Sequence, residues 1–274
     1  MKPKRKLFLR VLAGLAGAGI VVFILVFAVA LLGNPLSPLL IHWQAGRYLD
    51  QTYPYMELER EWPQYSFKTG GYYVHVQQPG SKDIHFSLDY SAFGKLQYDS
   101  YENDVLDGNS TLSRLDREYR ALGDEVLESP DFPWESDIAF VTLRTDDPVD
   151  PPPGGGYGLD MGALEPDGEY DVSKMGAEHG ELVLYVDCDD VSAAQAAEIL
   201  LDVKERFDGA GVGVYAVSLV VRQTPAGDTR DPDAPEFHTA NFRWEDIIPE
   251  GLEERLEENR AALDEYYARM DRMK

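Results

Sequence analysis

The chain has 274 residues and carries 25 basic against 49 acidic side chains, a formal net charge of −24. A negative field of this size repels nucleic acids and anionic polymers, so we predict no nucleic-acid binding and favour basic partners. The single cysteine excludes an intrachain disulfide bond, and the fold must therefore be held together by core packing.

The chain opens with a basic segment followed by a long apolar run. Residues 1–10 contain five Lys or Arg side chains, and residues 11–33 contain no charged side chain. This pattern predicts a single transmembrane helix over 11–33, a cytoplasmic basic tail over 1–10, and an extracytoplasmic location for 34–274. The A-x-A pattern ending at Ala30 is also typical of a cleaved signal peptide. The run is longer than the roughly 7–15 apolar residues of such peptides, which favours the uncleaved helix.

The next segment, residues 34–130, is predicted to form a first α+β domain. Ser37 and Pro38 are typical of a helix start, and an apolar stripe at helical spacing follows them. Residues 55–101 alternate between apolar and polar side chains, which predicts a meander of four antiparallel strands. A second amphipathic helix, about 110–128, is expected to cover the same sheet together with the first.

Residues 131–274 are predicted to form a second α+β domain. Its first strand is followed by a Pro/Gly-rich stretch, 146–158, which we expect to be an exposed, mobile loop. The segment 181–222 reads as strand, helix and strand, a βαβ crossover. Further strand and helix patterns follow it. The predicted fold class is thus α+β, a transmembrane helix followed by two small α+β units with mainly antiparallel sheets.

Several segments in this order resemble one known family. The segments that carry the resemblance are Gly33-Asn34-Pro35, Ile84-His85-Phe86, Leu184-Tyr185-Val186, Ala196-Ala197-Glu198-Ile199-Leu200-Leu201 and Tyr266-Tyr267-Ala268. Together they resemble the YfjL-like family of small membrane-anchored proteins of Gram-positive bacteria, over about residues 33–270. The resemblance implies a two-part exterior. It transfers no catalytic residue and no cofactor, since the family has no established activity.

One set of side chains has the composition of a metal site. His75, His85 and Asp89 fall on the polar face of neighbouring predicted strands, and a turn centred on Gly80 would place the two histidines opposite one another. Two histidines and a carboxylate form a possible zinc ligand set. The alternative is that they are scattered polar residues of a solvent-exposed sheet face and bind no metal. No P-loop, G-x-S-x-G or H-E-x-x-H motif is present, so we predict no catalytic residue and no cofactor.

Two hypotheses for function remain open at this point. The first is a non-enzymatic binding or accessory module at the bacterial cell surface. Its exposed aromatic residues, such as Tyr55, Tyr65 or Tyr73, and its acidic field would recognise a protein or a basic partner. The second is an extracytoplasmic hydrolase with a carboxylate-based site, which the sequence does not locate. A pocket that holds paired acids with raised pKa values would favour the second hypothesis.

Overall fold

A computed structural model describes residues 3–145, 151–225 and 234–272 of the chain. The helices are α1 Pro3–Leu32, α2 Ser37–Thr52, α3 Asn109–Leu127, α4 Val172–His179, α5 Ala193–Ala210 and α6 Leu252–Asp271. The strands are β1 Glu59–Arg60, β2 Gln64–Ser66, β3 Gly71–Gln77, β4 His85–Tyr90, β5 Leu96–Asp99, β6 Ile138–Leu143, β7 Gly180–Cys188, β8 Ala216–Gln223 and β9 Glu236–Arg243. They form two compact units, Met1–Ser110 and Thr111–Lys274, each with its own sheet. The predicted α+β class is confirmed.

The predicted transmembrane helix is not confirmed. Helix α1 begins at Pro3, within the segment predicted to be a tail, and ends at Leu32. A membrane-spanning helix needs about 20 consecutive, predominantly apolar residues. Within residues 3–145, 151–225 and 234–272, no helix combines the length and the apolar character that a membrane crossing requires. The prediction of a transmembrane helix over 11–33 is therefore wrong, and the predicted extracytoplasmic location is untested and stays a prediction.

The sheet of the first unit is antiparallel as predicted, but it has five strands instead of the four of the predicted meander. Strands β3, β4 and β5 pair in order and antiparallel, and the short strands β1 and β2 both pair with the other edge of β3. One face of the sheet is buried, because apolar side chains alternate with polar ones along each strand. The buried face and the apolar stripe of α2 form one core, made of Ile41, Ala45, Leu49, Tyr72, Val74, Val76, Phe86, Leu88, Tyr90 and Val105. The stripe predicted for the first helix is thus confirmed.

The junction between α1 and α2 is fixed to this sheet. Gly33 has a φ of +78°, and a Cβ atom there would lie 2.5 Å from the Tyr72 hydroxyl and 2.8 Å from the Tyr65 ring. The Tyr72 hydroxyl donates a hydrogen bond of 2.9 Å to the carbonyl of Asn34. The chain can pass this closely under two tyrosine rings because glycine has no side chain and adopts positive φ without strain.

The sheet of the second unit has the order β6-β7-β8-β9. The pairs β6/β7 and β8/β9 are antiparallel, and β7/β8 is parallel, so the predicted βαβ crossover is confirmed. Helix α5 is capped at its start by Ser192, whose side chain accepts a hydrogen bond from the Gln195 N–H, and at its end by Gly211 in the left-handed conformation. Its stripe of Ala196, Ile199, Leu200, Val203 and Phe207 is buried in the core of this unit, as the spacing predicts.

Helix α3 differs from the expectation. We expected the helix over 110–128 to cover the meander of the first unit, whereas its buried Leu115, Tyr119 and Val126 belong to the core of the second unit. The Tyr119 hydroxyl donates to the carbonyl of Gly213 at 2.7 Å, and the Asp116 carboxylate accepts the N–H of Leu143 at 2.8 Å. These contacts hold α3 against β6 and against the loop before β8.

The Pro/Gly-rich stretch is only partly described. Residues 146–150, part of the loop predicted to be mobile, lie outside the described residues. Further along the same stretch, Tyr157 is buried, and its hydroxyl donates a hydrogen bond of 2.9 Å to Asn241 Oδ1 on β9. The Tyr157 ring also stacks on Tyr215, with 4.6 Å between ring centroids. This end of the stretch therefore packs against the second sheet through Tyr157.

Candidate functional site

The open face of the first sheet carries a row of three chemically distinct side chains. The strand register pairs Tyr73 on β3 with Asp89 on β4, and Asp89 with Tyr98 on β5. Residues paired in this way point to the same face, with Cβ atoms roughly 4.5–5.5 Å apart. The carboxylate of Asp89 therefore stands between two tyrosine side chains. Both tyrosines reach solvent, since 36% of Tyr73 and 52% of Tyr98 is exposed.

A groove with a volume of about 470 Å³ surrounds this row. The rest of its polar lining comes from β2, β4, β5 and the segments beside them, and includes Ser66, Thr69, Ser87, Gln97, Ser100 and Asp104. The Tyr73 hydroxyl donates a hydrogen bond of 2.6 Å to Gln64 Oε1 on β2, which fixes one wall. The groove thus offers two aromatic faces, several oxygen acceptors and a central carboxylate.

The two acids of the groove differ in their surroundings. Asp104 is held on both oxygens, since Ser100 Oγ donates to Oδ2 at 2.5 Å and Asn103 Nδ2 donates to Oδ1 at 2.8 Å. Asp89 has neither a hydrogen bond nor an ion pair to any residue in the described part of the chain. Partial burial raises the pKa of Asp89, because desolvation disfavours the charged carboxylate. Asp89 is exposed within the groove and has no cation beside it, so its carboxylate is accessible to a ligand, which makes it a candidate functional position.

The predicted metal ligands share this face without converging. The His75 and His85 rings lie 5.9 Å apart, but His75 pairs with Ser87 and His85 with Gln77, so the histidines are diagonal rather than opposite. His85 and Asp89 are four residues apart on one strand, a separation of roughly 13 Å. Across the described ranges, no group of three His, Cys, Asp or Glu side chains is placed to hold a metal ion. The zinc hypothesis stays a prediction, which histidine NMR shifts during a zinc titration would test.

The aromatic residues singled out in the sequence have three different environments. Tyr55 is fully exposed, whereas the Tyr65 ring packs on Tyr72 with 5.1 Å between centroids. Tyr73 lines the groove. The sequence reasoning missed Tyr98, because its place beside Asp89 depends on the pairing of β4 with β5 and on the register shift at Asp89/Tyr90. The alternation of apolar and polar residues, which marks Tyr73 and Asp89 as outward-facing, was the signal in the sequence for this face of the sheet.

A second groove, of about 390 Å³, lies in the second unit between its sheet and α6. Its aspartate already faces a histidine, because His238 Nε2 lies 3.5 Å from Asp264 Oδ1. The Tyr185 ring in its wall is covered by Arg222, with the guanidinium carbon 5.0 Å from the ring centroid. These groups have partners within the chain, so the groove of the first unit is the stronger candidate.

Comparison with known proteins is informative at the level of family. The sequence matches the YfjL-like, N-terminal domain over residues 4–100 and the YfjL-like C-terminal domain over residues 118–257. The first match lies within the first compact unit and the second within the second. No curated protein and no solved structure matches the chain. As its sequence segments predicted, the chain belongs to the YfjL-like family.

Proposed function

We propose that this protein is a non-enzymatic binding module and that the groove on the open face of the first sheet is its binding surface. The observation that carries this proposal is Asp89, an exposed carboxylate between Tyr73 and Tyr98 that has no partner in the described part of the chain. Tyrosine supplies a large amphipathic contact area with few rotatable bonds, which is why it is enriched in the binding surfaces of proteins. A protein or another partner with basic groups suits the acidic chain.

A hydrolase is the second candidate, and one observation favours it. Asp89 and Asp104 line the same groove, and the pKa of Asp89 is raised, as for a general acid. A two-carboxylate mechanism also needs a second acid that is free to act as base or nucleophile. Asp104 is engaged by Ser100 and Asn103, so it would have to break these bonds first. The binding module therefore accounts for the groove with fewer changes.

Site-specific photo-crosslinking tests the proposal. A benzophenone amino acid is placed at Gln97, which lines the groove, and for comparison at Glu205, an exposed position on α5. In cells that produce the full chain, we expect an adduct at 97 that is absent at 205 and is lost when Tyr73 and Tyr98 are both changed to alanine. The same adducts at both positions, or none at 97, would contradict a binding role for the groove.

The same experiment separates the two candidates. In a hydrolase, Asp89→Asn stops turnover, so intact substrate stays bound and the adduct at 97 increases. In a binding module, Asp89→Asn leaves the adduct unchanged or reduces it, because no reaction is blocked.

A further inference from the structure

We infer that the Tyr73–Asp89–Tyr98 row binds a primary ammonium group, as carried by a lysine side chain or an alkylamine. This inference rests on the proposed function and names the chemistry of the ligand for the same groove. It uses two observations: the register that sets a carboxylate between two tyrosines, and the absence of a cation beside that carboxylate among the described residues.

The charge of the groove selects a cation. Its two charged lining residues, Asp89 and Asp104, are both acids, and the lining within the described ranges contains no Lys, Arg or His. The chain as a whole carries a net charge of −24, which raises the local concentration of cations and repels anions. An anionic ligand would meet a carboxylate without a compensating base, so anions are excluded from this position.

The aromatic residues select an organic cation. An ammonium group over the face of a tyrosine ring is attracted by the ring quadrupole, typically by about 0.5–1 kcal/mol at an exposed site. Tyr73 and Tyr98 flank Asp89 from both neighbouring strands, with Cβ atoms roughly 4.5–5.5 Å from that of Asp89, so a cation at Asp89 has a tyrosine side chain on either side. The ring of Tyr73 is held in place through its hydrogen bond to Gln64, which reduces the entropy lost on binding.

Hydrogen bonding favours a primary ammonium over a quaternary one. A primary ammonium has three N–H donors, and the groove offers acceptor oxygens on Asp89, Ser66, Thr69 and Gln97. A quaternary ammonium has no donor and would leave the carboxylate of Asp89 without a hydrogen bond.

Titration of the full chain with n-butylammonium chloride tests the inference. With ring-labelled tyrosine, we expect saturable NMR shifts of the Tyr73 and Tyr98 rings, assigned from Tyr73→Phe and Tyr98→Phe. 1-Pentanol, a neutral molecule of similar size, should give no such shifts, and tetramethylammonium should bind less tightly. A peptide with one lysine, compared with its norleucine counterpart, shows whether a lysine side chain is accepted.

The variants make the test specific. Asp89→Asn should weaken butylammonium binding by about tenfold, which corresponds to roughly 1.4 kcal/mol. Asp50→Asn removes the same charge from an exposed position on α2 that does not line the groove, and should leave binding within about twofold. Equal binding of pentanol, tighter binding of tetramethylammonium, or wild-type affinity in Asp89→Asn would overturn the inference. If butylammonium fails while the Gln97 crosslink persists, the groove binds another chemistry; if both fail, the proposed function fails as well.

Discussion

Two acids of the second unit, Glu181 and Asp202, have hydrogen-bond partners inside the protein, whereas Asp89 on the open face of the first sheet has none among the described residues. Glu181 on β7 is only 5% exposed, yet Ser218 donates a hydrogen bond to one of its oxygens and Arg144 Nε lies 3.4 Å from the other. Asp202 on α5 accepts hydrogen bonds from Trp134 Nε1 and Arg206 Nε, both at 2.8 Å.

Asp89 is exposed and has no such partner within the described residues. A buried acid with donors and a base contributes to the fold, because its charge is compensated inside the protein. An exposed acid is hydrated, so it needs no partner for stability and stays accessible to a ligand. The comparison therefore separates acids that stabilise the fold from an acid that is open to a ligand.

The largest effect is expected at Asp99, on the strand next to Asp89 and on the opposite, buried face of the sheet. Its Oδ2 accepts hydrogen bonds from the hydroxyls of Tyr48 and Tyr53, each at 2.7 Å, and Oδ1 accepts the N–H of Tyr101 at 2.9 Å. Asp99→Ala leaves these donors without an acceptor, and we expect a loss of about 3 kcal/mol in the free energy of unfolding. Urea unfolding of the full chain measures this loss.

Asp89→Ala is the matched control for Asp99→Ala. It removes a neighbouring acid of the same sheet, and its effect should lie within about 0.5 kcal/mol. Similar losses in the two variants would mean that both acids are structural, and the distinction between partnered and unpartnered acids would not hold within this sheet.

Glu181→Leu tests the same distinction in the second unit. The change removes the acceptor of the Ser218 hydroxyl and the partner of Arg144, and should lower the free energy of unfolding by about 2 kcal/mol. Since Arg144 is 47% exposed, water compensates part of its lost ion pair. Hydrogen exchange of peptides from 180–223 localises the effect, and Glu205→Gln, an exposed acid on α5, should leave exchange unchanged. If Glu181→Leu left the free energy of unfolding unchanged, burial and pairing would not identify a structural acid here.

Local periodicity predicted individual elements well, because it depends on one segment at a time. The stripe of α5 from Ala196 to Phe207 is buried as predicted, since residues at helical spacing share a face whatever lies opposite. The stripe of α3 was equally clear, but periodicity does not reveal which core will cover it. Leu115 and Tyr119 belong to the second unit because of contacts with residues far along the chain, such as Gly213.

The candidate site was predictable only in part for a related reason. Alternation placed His75 and Asp89 on the open face, but the register between strands decides which of them meet. That register puts Tyr98 beside Asp89 and sets the two histidines on a diagonal. The bulge between Asp89 and Tyr90 has no signature in the local sequence, so Tyr98 could not be assigned to the site in advance.

A smaller effect, with a defined dependence on pH, is expected at Asp202. The hydrogen bond from Arg206 is the main reason that the pKa of Asp202 lies below its usual range, and Trp134 adds to it. A lowered pKa means that the stabilisation is complete above the unfolded-state pKa of about 4 and is lost as pH falls through the folded-state pKa. Asp202→Asn should therefore lose about 1 kcal/mol at neutral pH, because the uncharged amide is a weaker acceptor for Arg206 and Trp134 than the carboxylate.

The measurement for Asp202 is the difference between wild-type and variant urea midpoints as a function of pH. The two midpoints should approach each other as the solution becomes acidic. Glu198→Gln, at an exposed acid on the same helix, is the control because it removes the same charge. A difference that persists unchanged in acid would show that charge on Asp202 is not what stabilises this region.

The smallest effect is expected at Asp89, and its pH dependence should have the opposite sign. Because burial raises the pKa of Asp89, the folded state is favoured relative to Asp89→Asn below the unfolded-state pKa of about 4, and this advantage is lost as pH rises through the folded-state pKa. At neutral pH the variant should be as stable as the wild type or slightly more stable, within about 0.5 kcal/mol. A pH dependence like that of Asp202 would mean that Asp89 has a partner within the chain. A second expectation concerns the ligand. Butylammonium should raise the urea midpoint of the wild type at neutral pH and leave that of Asp89→Asn nearly unchanged, because a ligand stabilises only the state that binds it.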